Sequence, residues 1–368
     1  MRGASSWLRR HRNGSVLLFV LVLIVVTAAA VLKFSERALG EMAGEGYYVQ
    51  RNRLRGEAYS ALEATLAVLA QYREIDGALY APAQGWAEPL AEAGYEPGAG
   101  REVAVEFADE NAKLALQDAD LAEPAVTALF ADLGFEAGEV EVLTDSLLDW
   151  IDADDNPRPY GAEIDDYLRG DPPHLAANRA PRSFAELAAV QGFADLMFTE
   201  HGRPTPRFDQ FVGRVSLWSD GTINLNTVSD ETLRGSGLVD ERQLASLARV
   251  LDTVDGERGT GGARYFRSLA ELAEQVGELP QGAMLGVRTR VLGIMVTVRE
   301  RQTEFRLRAV VSTDEGGTSS LSRGVSSAKT GFRTASAGTG GGAAALEYPF
   351  RFLELVEDPP PSSMPDLQ

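Results

Sequence analysis

The sequence predicts an α+β protein in which one long N-terminal helix accompanies a small antiparallel sheet, with a large helical domain inserted between the strands. Three observations carry this. An uncharged run from Ser15 to Leu32 continues into an amphipathic segment with no proline between Lys33 and Ala81. Arg101–Phe107 alternates as a strand but does not lead into a hairpin. Two further β-rich runs come only after residue 290, and the chain between reads as helices.

The first element is the membrane segment. At about 1.5 Å per residue, 18 apolar residues make a helix of roughly 27 Å, close to the hydrocarbon thickness of a bilayer. Arg2, Arg9, Arg10 and Arg12 precede it with no acidic residue, which keeps the N-terminus in the cytoplasm and exports everything after Lys33. The residues leave three readings open: an uncleaved anchor, a secretory signal cut after Ala28-Ala29-Ala30, and a leader cut on the cytoplasmic side after Gly14. A basic leader, a glycine and an unbroken apolar run resemble a type IV prepilin leader, which implies a mature chain that starts at Ser15 and keeps its helix.

Past the membrane, Leu54, Ala58, Ala61, Leu62, Thr65, Leu66 and Leu69 recur at helical spacing, so one helix, with a possible interruption near Gly40–Gly46, runs into the head. After the Arg101–Phe107 strand come short helices in VTALFADLGF and LTDSLLDWIDADD, then SFAELAAVQGF, where Ser183 with Glu186 three residues on predicts a capped start. Val212–Trp218 and the turn Ser219-Asp220-Gly221 lead to a second helical unit. The two units look related: ENAKLALQDAD, helices and RSFAELAAVQGF parallel DGTINLNTVSD, helices and RSLAELAEQVGEL. Val291–Val298 and Glu304–Val311 around RERQT predict a hairpin, and Tyr348–Val356 a last strand. The expected parts are a leader (1–14), a transmembrane helix (15–33), a helix continuation with the first strand (34–107), the inserted α-domain (108–285, with units near 108–200 and 220–280), the remaining strands (286–357) with a Gly/Ser-rich loop (312–343), and a tail (358–368).

Composition narrows the function. With 44% apolar residues the chain can bury real cores, and with no cysteine it has no disulfide, thiolate metal site or thiol nucleophile. The net charge of −19 is concentrated: Glu102–Glu200 holds 23 acidic against 5 basic residues, a net of −18. Such a segment repels phosphate backbones and attracts cations. Three histidines, none beside a nucleophile motif, and no glycine-rich phosphate loop argue against an enzyme.

One stretch, LLDWIDADDNPRPYGAEIDDYL (147–168), resembles the signature of the minor pseudopilin K family of type II secretion systems. Trp150, Gly161 and Tyr167 belong to it, and Ser183–Leu187 and Ile223–Thr227, with Asn224 and Asn226, resemble the family's other recurrent pieces in the same order. The resemblance implies a type IV pilin-like fold carrying an α-domain of two related SAM-like or helix-hairpin-helix-like units. It also implies a single-pass inner-membrane protein with a periplasmic head, cleaved by a prepilin peptidase. Its partners would be the I and J minor pseudopilins, the major pseudopilin and the inner-membrane assembly platform, and its place the tip of the periplasmic pseudopilus, where it helps start assembly. The fifth mature residue is Phe19 where most pilin-like proteins carry Glu. In the K family a non-acidic residue is expected there, as suits a subunit with nothing stacked above it. Ser15 departs from the bulkier residue common at the mature start.

The same stretch suggests a metal. Counting from Asp152, oxygen donors Asp152, Asp154, Asn156 and Glu163 fall at positions 1, 3, 5 and 12 of a calcium-loop pattern. Pro157 and Arg158 at positions 6 and 7 exclude an EF-hand. The family resemblance implies calcium in this domain, with Asp165 and Asp166 as further carboxylates. On the alternative reading Asp152–Asn156 merely close a helix and start a turn, with Trp150, Ile151 and Tyr160 as core. The competing function is DNA binding, since the INLNT segment and later helices resemble the helix-hairpin-helix of membrane-anchored DNA-uptake receptors. Against it, residues 221–280 hold 10 acidic and 6 basic residues, and Gly235-Ser236-Gly237 runs into Asp240-Glu241 rather than into lysines, so nucleic acid is an unlikely ligand.

Overall fold

A computed structural model describes residues 12–117, 119–170, 172–256, 265–277, 285–313 and 349–359. The first eleven residues of the leader, most of the Gly/Ser-rich loop and nearly all of the tail lie outside them. Two units are distinguished, residues 1–56 and 57–368.

The first unit is the N-terminal part of helix α1 (Arg12–Asp76). Val16–Arg37 is the one segment among the described residues long and apolar enough to cross a membrane, and its side chains are exposed throughout. Its 22 residues correspond to roughly 33 Å of helix. Helix α1 is continuous through Gly40, Gly44 and Gly46, where the sequence allowed an interruption. Glycine costs a helix about 1 kcal/mol but keeps its N–H, so without a proline the hydrogen-bond ladder is unbroken.

The second unit begins with the rest of α1, whose buried stripe is Ala58, Ala61, Leu62, Thr65, Leu66 and Leu69. Tyr59 donates to Glu357, and Arg73 donates to the carbonyls of Thr313 and Pro349, tying this part of the helix to the strand end of the chain. A short helix α2 (Pro89–Glu92) precedes strand β1 (Glu102–Asp109), which runs two residues beyond the predicted strand. At Asp109 the chain leaves the sheet and returns only at Val291.

The excursion has a repeated form. Strand β2 (Leu114–Ala115) enters the first helical unit, made of α3 (Ala119–Asp132), α4 (Ala137–Ile151), α5 (Ile164–Leu168), a 3-10 turn (Phe184–Ala189), α6 (Phe193–Met197) and α7 (Pro206–Arg214). Strand β3 (Val215–Ser216) leaves it, lying parallel to β2. Within the separating segment Val212–Trp218, Val212–Arg214 finish α7. Strand β4 (Ile223–Asn224) then enters a second unit of α8 (Asp230–Gly235), α9 (Glu241–Gly256) and α10 (Leu269–Val276), which β5 (Leu285–Gly286) leaves, parallel to β4. The first core centres on Phe130, Phe193 and Phe211, each within 6.0 Å of the others, with Phe130 and Phe211 stacked.

The predicted cap at Ser183 does not form. Ser183 is extended and its side chain makes no cap bond, and Glu186 is drawn to the indole Nε1 of Trp150. A buried indole N–H needs an acceptor. At Ser268 the cap does form: its hydroxyl accepts from the Glu271 amide, and Glu271 accepts from the Arg267 amide just ahead of the cap.

Strands β6 (Val291–Glu300) and β7 (Thr303–Ser312) form the predicted hairpin, closed at Arg301, whose φ of 56° is left-handed. With β8 (Arg351–Glu357) the sheet is wholly antiparallel in the order β1-β6-β7-β8. Val291–Val298 is buried at every position, so this central strand is covered on both faces.

Candidate metal centre

The acidic loop hangs between α4 and α5. Helix α4 ends at Ile151 because Asp152 turns extended. Asp154 accepts from the backbone amide and side-chain amide of Asn156, an Asx turn that redirects the chain and holds the Asp154 carboxyl below its usual range. Asn178 donates to the Asp154 carbonyl and to Asp155 from across the loop. Gly161 is required by close approach: a Cβ there would collide with the Asp149 carboxylate and lie 3.1 Å from the Asp145 carbonyl oxygen.

These constraints bring Asp152, Asp154 and Glu163 together, each with one carboxylate oxygen within 4.8 Å of the others. Oxygens bound to one calcium at about 2.3–2.6 Å lie no more than about 5 Å apart, so the spacing fits. Glu163 is 2% exposed, and neither of its carboxylate oxygens has a hydrogen-bond partner. Asp152 Oδ1 is likewise buried and unpartnered. Burial first, and then the negative charges of Asp149, Asp152, Asp155 and Asp154, push the Glu163 carboxyl up to about 7. Buried carboxylate oxygens without donors, set beside a third carboxylate, call for a cation or a proton.

The remaining predicted donors do something else. Asn156 spends its amide on Asp154. Asp166 accepts from the Glu163 amide and pairs with Arg169, while Asp165 stays exposed on the first turn of α5, so neither joins the three carboxylates. Tyr160, expected in the core on the alternative reading, is 50% exposed. Trp150 and Tyr167 are core residues, their rings edge to face at 5.2 Å. Sequence reasoning missed Asp149 and Arg158: Asp149, fully buried, accepts from the Arg158 guanidinium at 2.7 Å and from its amide at 3.1 Å.

Asn224 and Asn226 have structural work. Asn224 donates to the Tyr80 carbonyl and to Asp109, and Asn226 brackets Phe266 and donates to the Val287 carbonyl. The second unit is thereby fastened to the ends of β1 and of the β5–β6 connection. Its Gly235-Ser236-Gly237 turn offers nothing to a phosphate. The amides of Ser236, Gly237 and Leu238 are bonded to Thr232, Arg234 and Ser236, and a Cβ on Gly237 would meet Ala128 of α3 at 3.2 Å.

A helix long and apolar enough to cross a membrane, a four-stranded antiparallel sheet, and a run of helices between the first two strands of that sheet in chain order define a mixed α and β protein of pilin-like fold. Residues 105–200 match the family model of type II secretion system protein K. Similar relatives are the type II secretion system protein K of Pseudomonas aeruginosa, 30% identical over 51% of each chain, and that of Pectobacterium carotovorum, 25% identical over 83% of this chain and 93% of the relative. The match to the Pseudomonas protein thus spans about half its length. A crystal structure of the GspK-GspI-GspJ complex of the enterotoxigenic Escherichia coli type 2 secretion system contains a chain of the same fold, at a TM-score of 0.51 and 16% identity, over 74% of this chain and 94% of that one. Over residues 105–200, and along most of the length of the Pectobacterium relative, this chain is similar to the type II secretion system protein K family.

Proposed function

We infer that this protein is a minor pseudopilin of a type II secretion system, anchored once in the inner membrane with its head in the periplasm, and that it helps initiate the pseudopilus from its tip. The observation that carries this is the 147–168 loop on a pilin-like scaffold, within the segment matched to the K family. The related crystal structure supports assembly with I-type and J-type minor pseudopilins. The major pseudopilin and the assembly platform follow from that role. A bulky inserted domain and Phe19 in place of an acidic fifth residue suit a terminal subunit, which needs no partner above it. The two bracketed helical units fit SAM-like or helix-hairpin-helix-like repeats used as packing modules. Co-purification of the full chain with the other minor pseudopilins from its genomic neighbourhood tests the role, and recovery of this chain along the filament shaft would contradict it.

Maturation should follow the prepilin route, with a peptidase cutting after Gly14 to leave Ser15 first. N-terminal sequencing of the membrane-extracted protein checks this, and a start near Val31 would mean a secretory signal and remove the filament role.

Calcium is the ligand that the loop fits, held by Asp152, Asp154 and Glu163. Two carboxylates at 4 Å repel by about 4 kcal/mol at an effective dielectric near 20, and a divalent ion reverses that sign. Binding to the native state alone at 100 times the Kd adds about 2.7 kcal/mol. Thermal unfolding of the full chain should therefore shift upward in calcium relative to chelator. Asp154→Ala and Glu163→Ala should abolish the shift; if both keep it, the ion sits elsewhere.

A further inference from the structure

Arg158 stands at position 7 of the loop, and its guanidinium lies within the acidic cluster. Nη1 donates to Asp149 Oδ1 at 2.7 Å and to Asp152 Oδ2 at 2.5 Å, and the side chain is only 25% exposed. Asp152 is thereby divided: Oδ2 faces the guanidinium, while Oδ1 is buried with no hydrogen-bond partner among the described residues. Among the described residues the fully buried Asp149 has no other cationic side chain paired with it, and its remaining bond is to the Arg158 amide.

We propose that Arg158 is a built-in counter-cation: it holds the loop in its binding geometry when no metal is bound, and by repulsion it sets the affinity for a divalent ion lower than the surrounding carboxylates would. This rests on the calcium reading above. Asp149, Asp152, Asp154 and Glu163 bring four carboxylates into a small volume, and one resident positive charge lets them fold together. A calcium bound at Asp152 Oδ1 would lie about 5–6 Å from the guanidinium, given ion–oxygen distances of about 2.4 Å, so the two cations repel across the shared carboxylate. The two roles have opposite signs. Removing the charge weakens the metal-free loop and tightens metal binding, whereas a residue that only braced the loop would weaken both when lost.

The test uses the full chain in non-ionic detergent, stripped with chelator, with calcium affinity measured by calorimetry and thermal unfolding followed with and without calcium. Arg158→Gln should unfold at a lower temperature in chelator, bind calcium about tenfold more tightly and show a wider gap between its two melting temperatures. Arg158→Lys, which keeps the charge, should return the affinity to the native value. If Arg158→Gln does not fold without metal, Arg158→Met prepared in calcium, with affinity read by competition against a chelating indicator, carries the same expectation. An unchanged or weaker affinity on loss of the charge overturns the proposal even though the native chain binds calcium. Binding by Arg158→Gln but not by the native chain would support the counter-cation and overturn the calcium reading for the native protein, and binding by neither would overturn both.

Discussion

Asp109→Ala should lower the unfolding free energy of the head by about 3–5 kcal/mol, the largest effect expected of any single substitution outside the hydrophobic cores. Asp109 ends β1, is 2% exposed, and accepts from the Asn111 amide, the Asn224 side chain and the hydroxyls of Thr227 and Thr289. Removing the acceptor strips the Asn111 amide of its partner, costs Asn224, Thr227 and Thr289 their bonds to the end of β1, and unfastens the second helical unit from the sheet. At this size of domain the loss corresponds to a fall in Tm on the order of 10 °C. Burial pushes the Asp109 carboxyl up to about 6 against the pull of its four donors. Its contribution to stability is therefore complete below about pH 4 and declines as pH rises through about 6. Asp109→Asn, uncharged throughout, should flatten the stability profile over that window when measured in excess calcium. An unchanged slope would show that Asp109 does not titrate there.

Gly161→Ala should cost about 2–3 kcal/mol, and most of the calcium response with it. A methyl at this position collides with the Asp149 carboxylate, the anchor of Arg158, and sits tightly, at 3.1 Å, against the Asp145 carbonyl oxygen, a backbone atom that cannot swing away. Relief requires the loop to lift from α4, which separates Asp152 and Asp154 from Glu163. Unfolding in chelator and in calcium distinguishes the two losses. A variant as stable as the native chain, with its calcium shift intact, would show that the loop relaxes around the methyl.

Much of the architecture is legible in local patterns. The long apolar helix follows from composition alone, the β6–β7 hairpin from alternation around a charged turn, and the break between α4 and α5 from Asp152–Asn156, where the Asp154 side chain bonds the nearby backbone. Asp152, Asp154 and Glu163 are close in sequence, so their spacing already limits how far apart one turn can hold them. Asp165 and Asp166 were misplaced for the converse reason: helix α5 begins at Ile164 and carries them onto its first turn, where Asp166 meets the Glu163 amide and Arg169. Glu186 meets a tertiary demand, the Trp150 indole, that no window around residue 183 contains.

By itself, then, the sequence determined the long apolar helix, the strand pairing of the hairpin, the helical character of the insert and the closeness of Asp152, Asp154 and Glu163 along the chain, all set by periodicity or by neighbours within about a dozen residues. Only the tertiary structure decided that Asp109 binds Asn224, Thr227 and Thr289, that Asn111 accepts from the amides of Arg290 and Val291, and that Arg158 lies between Asp149 and Asp152. A buried polar group takes whatever donor the fold delivers to it. Which donor arrives across more than a hundred residues depends on how the insert closes back on the sheet, and no local pattern records that closure.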